Sequence, residues 1–197
     1  MRTSKKWIGI VTLTSALVHT TAARARASDE PLERVRTFDP LVSSLIQEGT
    51  ERSVTFRQLI GRLGRSDGIV YIIAGRCRGR VNACFLHSMT SAGPNRVLRI
   101  VVNTRRKPRE IISSIAHELT HALEVLGDPG IRDDLAIYNF YNREGVKRGE
   151  AFETLEAIQT EIKVRSELGR HFDDLVARNE SSYDGVVSSG SGSAVDD

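Results

Sequence analysis

Past its first 27 residues, this 197-residue chain has no apolar run long enough to cross a membrane, and it has no internal repeat. It has two cysteines, Cys77 and Cys84. Neither lies directly after the small-residue stretch that ends near Ala27, so no lipoprotein anchor is expected there. Nothing in the sequence indicates a nucleotide or redox cofactor. One further gap is local. No Lys or Arg occurs between Arg109 and Arg132, in a chain with 28 basic residues.

The leading segment combines Arg2, Lys5 and Lys6 with a short apolar run from Trp7 to Val18. Ala23-Arg24-Ala25 and Ala25-Arg26-Ala27 follow as small-x-small cleavage candidates. This is the pattern of a secretory signal peptide over residues 1–27, and it implies an exported (periplasmic or extracellular) protein. The competing reading is an uncleaved anchor, disfavoured because the run is too short to span comfortably. Removal of Arg2, Lys5, Lys6, Arg24 and Arg26 reduces 28 basic residues to 23, against 25 acidic ones. The basic pI of 9.1 therefore belongs partly to the leader and does not indicate nucleic-acid binding. In an oxidising compartment Cys77 and Cys84 are expected to close a short disulfide loop, the alternative being two separate buried thiols.

Asp39-Pro40 opens a helix expected to stop at Gly49, and Ser53 caps a second that ends near Gly64. The runs 69–73, 81–86 and 97–102 read as strands, with a turn over residues 91–95, and suggest a small antiparallel sheet. Pro108 starts a long helix to Leu126. Two more helices are expected, one over 132–142 and one from Gly149 to Leu168, stopped by Gly169. From Asn179 the chain is Ser/Gly-rich and is expected to be disordered. The result is one α+β domain over residues 28–178, with a tail over 179–197. Whether Leu32 to Leu63 belongs to that domain or forms a removable prosegment is left open.

The long helix carries His117-Glu118-Leu119-Thr120-His121. Residues i and i+4 share a helix face, so both imidazoles can reach one ion. Neutral imidazole ligates Zn²⁺ well, and a carboxylate beside a bound water can serve as general base. Ile111, Ile112, Ile115, Ala116, Leu119, Ala122, Leu123 and Leu126 form the apolar face. The opposite face holds Ser113, Ser114, His117, Glu118, Thr120, His121 and Glu124. An ordinary solvated face would carry Lys and Arg. This one carries small hydroxyl residues instead, which leaves space over the imidazoles.

Two His do not complete a catalytic zinc site, which needs a third protein ligand. The extension H-E-x-x-H-x-x-G-x-x-H is absent, because Glu124 stands at its Gly position and Gly127 at its third His. Glu150, Glu153 and Glu156 open the last expected helix as candidates. Ala151, Phe152, Leu155, Ile158 and Ile162 read as its main core stripe, and Ala157, Val164 and Leu168 as a second. Extended backward, the second stripe reaches Glu153, the first choice. The alternative is that all three glutamates are solvated.

Ala116-His117-Glu118-Leu119-Thr120-His121-Ala122, followed by Phe152-Glu153-Thr154-Leu155-Glu156-Ala157, resembles the zincin metallopeptidases of gluzincin type, and within them small exported bacterial proteins. The resemblance covers roughly residues 97–168. It implies a zincin-like fold, with a small antiparallel sheet packed on an active-site helix and further helices after it. It implies a zinc-dependent peptidase in which His117, His121 and Glu153 hold Zn²⁺ and Glu118 is the catalytic base. The substrate would be a peptide or protein, laid along an edge strand for which 97–102 is the candidate. The family's Asp four residues after the ligand Glu is missing, since Thr154 and Ala157 stand at the two corresponding places. Tyr138, Tyr141 and His171 are candidate oxyanion donors. His87 reads as a surface residue, and His19 leaves with the leader. The rival reading is an inactive zinc-binding module of the same fold, and a further one is an accidental motif. The retained Glu118 favours the enzyme.

Overall fold

A computed structural model describes residues 33–79, 81–148 and 151–170. The expected leader, Glu150, His171 and the Ser/Gly-rich tail lie outside the described residues. The class is α+β, with five helices and a small sheet among the described residues.

The chain opens with a two-residue strand, β1 (Val35–Arg36), and then α1 (Pro40–Arg52) and α2 (Val54–Gly64). Both helix starts follow side-chain chemistry. The Asp39 carboxylate accepts from Val42 N, and the Ser53 hydroxyl accepts from Phe56 N. Helix α1 runs past Gly49, where a stop was expected. A Cβ at residue 49 would stand 2.8 Å from Ile112 Cγ2, so this glycine allows close helix packing rather than ending the helix. Val42, Leu45, Ile46, Phe56, Leu59, Ile60 and Leu63 are buried in the common core. Residues 40–64 are thus part of the fold.

Strands β2 (Gly68–Ala74), β3 (Ala83–Ala92) and β4 (Asn95–Val102) complete a four-stranded sheet in the order β1-β2-β4-β3. It is mixed rather than antiparallel. β1 pairs parallel to β2, β2 pairs parallel to β4, and only β3 runs antiparallel to its neighbour β4. The sheet is not the antiparallel one expected because the chain leaves β2, passes over to the far edge as β3, and returns as β4 between them. A two-residue turn makes that return, with Gly93 at φ 59°, a conformation that favours glycine. The edge strand on this side is therefore β3, not residues 97–102. The disulfide Cys77–Cys84 spans the crossing from β2 to β3. Its sequence separation is 7, and for so short a ring the loss of unfolded-chain entropy amounts to about 2.5 kcal/mol. Cys77→Ser/Cys84→Ser is expected to lose about that much stability in a denaturant titration.

Helix α3 (Pro108–Gly127) lies across the sheet and is the core of the molecule. Ile112, Ile115 and Leu119 are fully buried, each contributing about 1.5–3 kcal/mol of apolar burial. The polar face is also buried. Ser113, Ser114, His117, Glu118, Thr120 and His121 all lie inside, so the space expected over the imidazoles is filled by other elements. The last turn of α3 has no basic residue, and Arg96 from β4 supplies the cation instead. Arg96 is 2% exposed. Its guanidinium donates to the carbonyls of Val125 (3.1 Å), Leu126 (2.7 Å), Asp128 (2.8 Å) and Ile131 (3.1 Å), and to Asp67 (2.7 Å).

Helix α4 (Asp134–Glu144) follows, capped by Asp133, and then a hairpin of β5 (Val146–Arg148) and β6 (Ala151–Glu153). The last described helix, α5, occupies residues 155–170. The expected helix from Gly149 is thus replaced at its start by a strand. Thr154 explains the boundary: its hydroxyl accepts from Ala157 N at 3.2 Å, an N-cap geometry. The expected stripes of α5 are reversed. Leu155 is 70% and Ile162 63% exposed, whereas Ala157, Val164 and Leu168 are buried. Glu167 fastens α5 to α2, accepting from Ser53 Oγ, Thr55 N and Thr55 Oγ1.

Candidate metal centre

Three segments meet on the polar face of α3. The motif supplies His117, Glu118 and His121, the end of β6 supplies Glu153, and α5 supplies Glu161. One ligand atom from each of His117, His121 and Glu153 lies within 4.8 Å of the others. His117 Nε2 stands 3.1 Å from Glu153 Oε2. Ligands about 2.0–2.1 Å from a tetrahedral zinc stand about 3.3 Å apart, so this spacing suits a shared ion. Of the two candidate glutamates among the described residues, Glu153 joins the cluster, on a strand rather than a helix. Glu156 instead pairs with Arg62 at 3.4 Å on the surface.

Each imidazole has its other nitrogen against a carboxylate. His117 Nδ1 lies 3.3 Å from Glu161 Oε2, and His121 Nδ1 lies 2.9 Å from Glu124 Oε2. At His121 the carboxylate is hydrogen-bonded to Nδ1, which fixes ring orientation and leaves the Nε2 lone pair for a metal, while Glu161 stands near His117 as a charge partner. Arg165 holds Glu161 at 2.5 Å. Neither Glu124 nor Glu161 was assigned a role from sequence. Glu161 had a signal: it lies four residues after Ala157 and three before Val164, on the buried stripe of α5.

The local charge suits a dication. Burial, the largest influence on His117, opposes its charged form, yet hydrogen bonding to Glu153 and Glu161 outweighs it and pushes the pKa up to about 10. A proton on His117 balances the acidic groups when no metal does. Glu118 is buried, and this burial raises its pKa against the opposing pull of His117 and His121. Its Oε2 accepts from Phe85 N at 2.7 Å, which ties the carboxylate to edge strand β3.

Aromatic rings close the site. Tyr141 packs edge-on to His121 at 5.3 Å and stacks on His87 at 5.2 Å, and Phe152 lies 5.8 Å from His87. His87 is therefore half-buried beside the centre, not a plain surface residue. It lies within the register shift between Leu86 and Thr90, and burial, then the neighbouring His121, lowers its pKa. Tyr141 donates its hydroxyl to the His121 carbonyl at 2.9 Å, which commits it to positioning rather than to an oxyanion. Tyr138 is partly exposed, with its ring against Phe152.

No protein-family model, curated protein or solved structure matches this chain.

Proposed function

We propose that the protein is an exported zinc-dependent metallopeptidase of zincin type. The observation that carries this reading is the convergence of His117, His121 and Glu153 around one point, with the buried carboxyl of Glu118 beside it. Zinc is the ion suited to two neutral imidazoles and one carboxylate, and it would supply a Lewis acid and an acidified water. Glu118 takes the proton of the attacking water and later delivers it to the leaving amine. Its raised pKa brings it closer to the working pH of a general base. The Phe85 N–H engages one carboxylate oxygen and leaves the other to act. An extended peptide would add to the open edge of β3. There the N–H groups of Phe85 and Met89 are already engaged by Glu118 and Asp134, which restricts where it can pair. Export fits the disulfide. No helix among the described residues is long and apolar enough to cross a membrane.

The direct test is zinc content of the purified protein together with digestion of a broad peptide library. Zinc without cleavage would favour the inactive binding module. Protein free of metal, and unable to take it up at neutral pH, would end the proposal. Glu153→Ala is expected to reduce zinc occupancy well below wild type.

The pH dependence has a defined sign. Without metal, His117 keeps its proton up to about pH 10, so zinc uptake at pH 7 must expel that proton. Calorimetry in two buffers of different ionisation enthalpy should show proton release, with affinity rising from pH 7 toward about 10. In the metal-free protein the stabilisation from the raised pKa is complete below about 6.5 and is lost as pH rises through about 10.

A further inference from the structure

The residue three places after the second motif His is a glutamate with three polar atoms around it. Glu124 Oε2 lies 2.9 Å from His121 Nδ1 and 3.4 Å from the Tyr141 hydroxyl. Glu124 Oε1 accepts from Thr154 Oγ1 at 2.6 Å. Thr154 directly follows Glu153 and is also the N-cap of α5. One carboxylate therefore touches a donor on each side of the metal cluster. On one side is the second imidazole of α3. On the other is the residue that ends the strand bearing the third ligand. We propose that Glu124 is a positioning residue that joins the two halves of the zinc site: one oxygen sets the His121 ring and the other fixes where β6 delivers Glu153. The proposal rests on the zinc reading above.

The chemistry requires a carboxylate. Its two oxygens accept from the His121 ring and the Thr154 hydroxyl at once, whereas a glutamine offers one acceptor oxygen and turns an amide N–H toward one of these partners. Tyr141 adds a second hold on the same turn of α3, through the His121 carbonyl. The Glu124 side chain is 13% exposed, so loss of its carboxylate leaves the Thr154 hydroxyl and the His121 Nδ1–H without their acceptor in a largely enclosed place.

The test measures Zn²⁺ affinity by chelator competition at one fixed pH. The visible spectrum of the Co²⁺-loaded protein gives a readout of ligand geometry that mere loss of stability does not move. Glu124→Ala and Glu124→Gln are expected to weaken zinc binding by roughly 10–100-fold and to alter the cobalt spectrum. Thr154→Ser, which keeps the hydroxyl and the cap, should bind as wild type does, and Thr154→Val should bind more weakly. In the Glu124→Ala background, Thr154→Val should cause no additional loss, because its partner is already gone. Glu124→Gln keeps the side-chain volume and carries the test if the alanine variant fails to fold. Wild-type affinity in Glu124→Gln overturns the proposal, as does an equal penalty for Thr154→Val in both backgrounds. Those results leave the zinc reading standing. A wild-type protein that binds no zinc overturns the zinc reading itself, and this proposal with it.

Discussion

Replacement of Glu118 by glutamine is expected to leave zinc stoichiometry at the wild-type level and to lower peptide hydrolysis by roughly 10²–10⁴-fold, the range over which a positioned general base contributes. The two effects separate because Glu118 is not one of the three clustered donors. Glutamine has the same shape, and its carbonyl oxygen can still accept from the Phe85 N–H that anchors the side chain at 2.7 Å. What it loses is basicity. The check is elemental analysis of the variant after dialysis against trace zinc, with initial rates on a substrate that the wild type cleaves. A metal-replete variant that cleaves at the wild-type rate would remove Glu118 from the chemistry. A variant that loses the metal would mean that Glu118 helps to hold the ion.

Arg96→Ala is expected to destabilise the fold by about 3–5 kcal/mol, the cost of removing one partner from a buried ionic network. On a chain of this size that lowers the unfolding midpoint by on the order of 10 °C. The guanidinium is the shared donor for four carbonyls at and beyond the end of α3, and it alone brings positive charge to that terminus from within the core. Arg96→Lys should restore little, because one ammonium cannot reproduce the planar fork. The acid limb provides a second check. Hydrogen bonding to Arg96, the largest influence, holds the Asp67 carboxyl below its ordinary value. A lowered carboxylate stabilises the fold above its unfolded pKa, near 3.8, and that contribution is lost as pH falls through the folded value. The wild type should lose stability over this window, and Arg96→Ala should lose less there. Equal acid slopes, with a small change in denaturation midpoint, would show that the carbonyl ends of α3 are satisfied without Arg96.

The site was legible to the extent that it is local. His117, Glu118 and His121 lie within a single helical turn and a half, so spacing alone places them together. Glu153 was reached by extending a helix stripe that does not exist there, since β6 and the Thr154 cap occupy that stretch. A short hairpin with half-apolar strands has the same composition as an amphipathic first turn, and periodicity cannot separate them. The inversion of the α5 stripes has a related cause. Ile162 and Leu155 outweigh Ala157 and Val164 in size, yet the smaller residues are the ones that are buried. Glu124 and Glu161 were hidden because their meaning depends on what docks over α3. Sheet order was hidden too. A strand that returns between two earlier ones leaves no trace in the spacing of its residues.

Helix α3 is enclosed on nearly every side, and its ionisable groups sit in its middle. One helix thus carries both the central packing of the core and the ionisable groups. If the proposed activity holds, demands for thermal robustness and for turnover fall on the same twenty residues and pull in opposite directions. On that reading, an apolar replacement of the His117–Glu118–His121 group is expected to give a sturdier protein that binds no metal.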